Sequence, residues 1–141
     1  MNRQLLCVAL FAALSVSHAV AQAPSDGTVT ADRRVALVIG NATYVVGRLQ
    51  NPVQDARAMA KSLRHLGFEV LAHENLSYRD MRRAVAEFGE RIANGGVGLF
   101  YYSGHGIQVN GKNYLVPVDA DIKNDHEVAE QLAHIENQLM G

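Results

Sequence analysis

The segment Tyr101-Tyr102-Ser103-Gly104-His105-Gly106 holds the densest chemical information in the chain. An apolar, aromatic run ends there, and a histidine follows between two glycines. Glycine lets the backbone turn sharply and lets another chain approach closely. A free imidazole has a pKa of about 6.5, so His105 suits proton transfer near neutral pH. This reading places His105 in a loop, exposed at the carboxyl edge of a sheet. The structural alternative is an ordinary histidine in a Gly-rich turn.

Other chemistries fail on spacing. Residues 106–113 read Gly-Ile-Gln-Val-Asn-Gly-Lys-Asn, close to a phosphate-binding loop. Asn113 stands where a Ser or Thr would ligate Mg²⁺, and a strand pattern with Pro117 follows instead of a helix. Asn110-Gly111 fits a hairpin turn better. No Gly-x-Gly-x-x-Gly follows the first strand, which excludes a dinucleotide fingerprint. His65, His73, His105, His126 and His134 show no His-Glu-x-x-His spacing for zinc. No Gly-x-Ser-x-Gly is present to present a serine nucleophile. The expectation is a site without cofactor or metal.

Which elements would position His105? Residues 35–40, Val-Ala-Leu-Val-Ile-Gly, form a continuous β-branched run, the mark of a strand buried on both faces. Residues 41–50 make a loop. Asn51-Pro52 opens a helix with Asn as N-cap and Pro in the first turn, Val53, Ala56, Ala60 and Leu63 on one face, and Gly67 closing it. Asp55 complements the helix dipole, and Tyr44 packs over the first loop. Residues 68–71 predict a second strand. Ser77-Tyr78-Arg79-Asp80 resembles a capping box opening a helix with Met81, Val85, Phe88 and Ile92 on one face. Residues 97–102 predict a third strand, 114–118 a fourth, and 127–140 a final helix. Helical crossovers between strands mean an α/β fold, a three-layer sandwich around a mostly parallel sheet. Ligands collect at the carboxyl ends of such strands, here the loops 41–51 and 103–113.

Residues 35–40, Leu49-Gln50-Asn51, Asp55-Ala56, Leu66-Gly67-Phe68 and the His105 segment come in an order that resembles the caspase-like cysteine peptidases. The resemblance is closest to their bacterial caspase-domain and metacaspase-like branch. Tyr114-Leu115-Val116-Pro117-Val118-Asp119 resembles that branch's run after the His, and the likeness covers residues 34–141. It implies peptide-bond hydrolysis by a His–Cys dyad, with His105 as the base. It also implies that the backbone N–H of Gly106 helps bind the oxyanion. The family's Cys follows its His by about 50 residues, which puts it near position ~155. The chain therefore reads as the amino-terminal part of such a domain, short of the nucleophile strand. The alternative is a non-catalytic pseudo-protease or interaction module. By the same resemblance Arg48 would hold an acidic substrate side chain, as in animal caspases. Asp119, with Asp121, would instead line a pocket for a basic one. A solvated Arg and ordinary loop carboxylates are the structural alternatives.

Composition is that of an ordinary globular chain, with 48% hydrophobic and 19% charged residues. The 141 residues carry 13 Lys and Arg against 14 Asp and Glu, with no basic excess to hold nucleic acid. One Cys, Cys7, excludes an internal disulfide framework. Arg3, the apolar run from Leu5 to Val16 and the small-residue site Ala19-Val20-Ala21 read as a secretory leader over 1–21. A linker over 22–33 and the domain over 34–141 follow. The expected product is periplasmic or extracellular, free of the membrane after cleavage, and acts on a polypeptide. Stopping short of the nucleophile strand leaves an apolar sheet edge, open to a protein partner or to self-association.

Overall fold

The computed structural model describes residues 5–16, 33–109 and 112–121. The helix expected over 127–140, the turn at Asn110-Gly111 and all of the 22–33 linker but Arg33 lie outside them. The elements in chain order are β1 (Leu5–Val16), β2 (Arg34–Gly40), α1 (Pro52–His65), β3 (Glu69–Glu74), α2 (Tyr78–Ile92), β4 (Gly96–Val109) and β5 (Lys112–Leu115).

One sheet runs in the order β1-β4-β2-β3, with β5 added to β4. β2 pairs parallel with β3 and with β4, while β1 and β5 pair antiparallel with β4. The helical crossovers anticipated from the β-α-β-α-β pattern thus build the parallel centre. β2 is buried on both sides because its residues alternate between two helical layers. Val35, Leu37 and Ile39 pack with Met81, Ala84, Val85 and Phe88 of α2. Ala36 and Val38 pack with Ala56, Ala60 and Leu63 of α1. Burying a side chain of this size contributes about 1.5–3 kcal/mol, so the paired cores hold the strand ends that carry the site.

Local signals explain the helix boundaries, with one correction. The Ser77 hydroxyl accepts the Asp80 N–H, so the N-cap half of the expected box forms, while the Asp80 carboxylate accepts the Ser77 hydroxyl where a full box would take its backbone N–H. Gly67 adopts φ +82° past the end of α1. Asn51, by contrast, lies in the α region and makes no side-chain cap. Pro52, which has no N–H to satisfy, starts α1 without it. At the end of β2, a Cβ on Gly40 would lie 2.6 Å from the Pro52 carbonyl oxygen. That close approach seats the start of α1 against the strand's carboxyl end.

β1 lies along the edge of β4 in twelve consecutive pairs, from Leu5 opposite Ile107 to Val16 opposite Gly96. With residues 5–16 present, the edge expected to be open is occupied.

Candidate active site

His105 lies within β4, not in a loop, and is 6% exposed. The expectation of an exposed loop histidine is therefore corrected. The strand continues past its parallel partner β2 because β5 takes over the pairing, with Gly106 opposite Leu115 and Val109 opposite Lys112. Gly104 serves close approach instead of a turn. A Cβ there would stand 2.5 Å from the hydroxyls of both Tyr44 and Tyr102.

Those two hydroxyls hold the backbone of His105. The His105 N–H donates to Tyr44 Oη at 2.9 Å. Tyr102 Oη lies 2.8 Å from the His105 carbonyl oxygen and 2.9 Å from that of Val116. Tyr44 Oη is 3.1 Å from the Val116 oxygen and 3.0 Å from Tyr102 Oη. Each phenol has one proton. Tyr44 donating to Val116 and Tyr102 donating to His105 satisfies both carbonyls. Burial pushes the Tyr102 phenol far above its ordinary range, and the adjacent Tyr44 adds to the shift, so Tyr102 stays neutral.

The imidazole is fixed from the other side. Its Nε2 lies 2.5 Å from the carbonyl oxygen of Gly47, and its ring is 4.4 Å from that of Tyr44 at 53°. A carbonyl only accepts, so Nε2 must carry the proton. In the neutral ring, Nδ1 is then the basic atom. Nδ1 is buried and has no hydrogen-bond partner among the described residues. A buried lone pair left unmatched is costly, and such atoms mark places where a missing group or a function belongs.

Gly47 reaches His105 because the loop 41–50 is anchored along its length. The Asn41 N–H donates to Ser103 oxygen at 2.8 Å, tying the ends of β2 and β4. The buried Asn41 side chain accepts the Leu76 N–H and donates to the Val116 oxygen. Asn75, at φ +53°, accepts the N–H groups of Ala42 and Thr43. Leu49 N–H closes the loop onto the Ala42 oxygen. Such a loop can deliver a carbonyl to a fixed point.

With this geometry in view, comparison with known proteins decides the family. A caspase-domain peptidase model matches residues 33–138. The chain belongs to the caspase-domain family. It is 41% identical over 88 residues to human mucosa-associated lymphoid tissue lymphoma translocation protein 1, covering 62% of this chain. It is 39% identical over 95 residues to the mouse homolog, covering 67%. The match spans 11% of the length of each relative.

In this caspase domain the expected site residues fall unevenly around His105. Gly106 is buried on β4, with Leu115 on one side and Leu6 of β1 on the other. Arg48 is exposed and follows Gly47 in the loop that touches the imidazole. Asp119 is committed elsewhere: its Oδ1 accepts the Tyr78 N–H at 2.8 Å, where its charge favours the start of α2. The only Cys of the chain, Cys7, stands opposite His105 in the β1–β4 register. Sequence reasoning missed Tyr102, Gly47, Asn41 and Asn75. Tyr102 was legible as a phenol at a strand end, and the others only as polar or glycine loop residues. No group of three His, Cys, Asp or Glu among the described residues is arranged to hold a metal.

Proposed function

We propose that this caspase domain supplies the general-base half of a cysteine endopeptidase. His105 Nδ1 takes the proton of a cysteine thiol, or pairs with its thiolate, while Gly47 holds Nε2–H. The Gly106 N–H then binds the developing oxyanion. The observation that carries this reading is the orphaned, buried Nδ1 of an imidazole fixed at its other nitrogen. The substrate is a polypeptide. In this reading Arg48 selects its side chain by meeting an acidic one, supported by its exposure beside Gly47. Asp119 is the weaker choice because it already serves α2.

Residues 1–21 act in this reading as an export leader, and the product works in the periplasm or outside the cell. Leader removal takes β1 with it and bares the β4 edge from Gly96 to Ile107. That edge then accepts a further strand, from the nucleophile-bearing segment or from another protein. The alternative reading is a binding module that keeps the sheet and its loops without the chemistry. Sequencing the coding DNA through and past codon 141 separates the two. An apolar strand ending in Asp-x-Cys near position ~155 supports the peptidase. A continuation with no Cys in that region leaves a binding module.

A further inference from the structure

We propose that Tyr44 is the positioning residue of His105, making the loop 41–50 and the base move as one unit. This rests on reading His105 as the base. Tyr44 touches the histidine twice, through the hydroxyl on the His105 N–H at 2.9 Å and through the ring at 4.4 Å. It also sits three residues before Gly47, whose carbonyl sets the protonated nitrogen. One buried side chain therefore fixes the backbone height, the ring plane and the span that chooses the tautomer. The β4 ladder alone does not do this, because the His105 N–H is bonded to a side chain. Val45 and Val46, between Tyr44 and Gly47, are 87% and 84% exposed and add no packing of their own. The loop's hold on the imidazole thus runs through Tyr44 on one side and, on the other, through the backbone bonds of Asn41 and Leu49 and the Asn75 side-chain oxygen.

The test reads the imidazole, not cleavage, so it stands or falls separately from the peptidase reading. The full chain is labelled with ¹⁵N-histidine, and His105 is assigned by its disappearance in His105→Gln. Long-range proton–nitrogen spectra of neutral His105 then report its tautomer, and amide exchange reports its backbone N–H. In the wild type His105 is a single Nε2–H tautomer. Tyr44→Phe keeps the ring but strands a buried donor, and exchange at His105 accelerates roughly ten- to hundredfold. Tyr44→Leu, which removes ring and hydroxyl, yields a mixture of tautomers. Val38→Ala, in the core on the α1 face, is the control for general loosening and leaves tautomer and exchange at His105 unchanged. The proposal is overturned if Tyr44→Phe leaves His105 exchange at the wild-type rate. It is equally overturned if Val38→Ala, at a matched loss of melting temperature, disturbs His105 as much. Should Tyr44→Leu not fold, the Tyr44→Phe and Val38→Ala comparison decides alone.

Discussion

Adding one methyl group to Gly104 tests the geometry around His105 most sharply. In Gly104→Ala the new Cβ would sit 2.5 Å from both tyrosine hydroxyls and 2.8 Å from Tyr102 Cζ. Neither phenol can swing away freely, because Tyr102 is fully buried and both hydroxyls sit on the Val116 carbonyl. Overpacking of this kind costs about 1–3 kcal/mol. Displacing the Tyr44 hydroxyl also leaves the buried His105 N–H unpaired, at about 1–3 kcal/mol. The sum, roughly 2–6 kcal/mol, is a large share of a domain's stability and lowers the melting temperature by on the order of 10 °C or more. Thermal and urea melts followed by circular dichroism read it. Gly89→Ala in the last turn of α2 is the internal control. Nothing lies within 4 Å of its Cβ, so alanine there should stabilise by about 0.5–1 kcal/mol. A Gly104→Ala protein that melts with the wild type would refute the claim that the tyrosines press on this glycine.

Further outcomes follow from the same contacts. Ser77→Ala should cost about 1 kcal/mol in urea melts through the lost cap, whereas Asn51→Ala should be close to neutral because Asn51 caps nothing. Phe88→Ala, at the centre of the α2-side core, should cost about 3–5 kcal/mol. Tyr102 keeps its proton in the fold at pH values where a free phenol, pKa about 10, has lost it. The unfolded chain then binds fewer protons than the folded one. Stability is complete below about pH 10 and falls above it, by up to ~1.4 kcal/mol per pH unit from this group. Melts between pH 9 and 11 should show that decline, and Tyr102→Phe should flatten it while lowering stability at neutral pH.

Periodicity made the frame readable. The β-branched run of β2 and the apolar faces of α1 and α2 each demand burial, and only helices on both sides of a strand satisfy all three. The site was readable by residue type, since a Gly-flanked His after a buried strand stands out. Its setting was not. That β4 runs on through His105 depends on pairing with β5 and β1, a non-local event that leaves no mark within residues 103–106. The role of Gly104 likewise depends on two phenols, one of them 60 residues away in sequence. Asn51 has the right residue type for a cap, yet Pro52 and the packing at Gly40 settle the helix start without it. The apolar run of residues 5–16 fits a leader and an edge strand equally well, because hydrophobicity alone does not separate them.

The most direct test of His105 as the base is hydrolysis by the natural full-length product. It is assayed on short fluorogenic peptides with Asp, Arg or Lys before the scissile bond, with and without His105→Ala. The account predicts cleavage that thiol alkylation blocks, and a loss of about 10²–10⁴-fold in His105→Ala with the fold intact. Cleavage that survives His105→Ala unchanged, or its absence in a folded protein that carries the expected Cys, would contradict it.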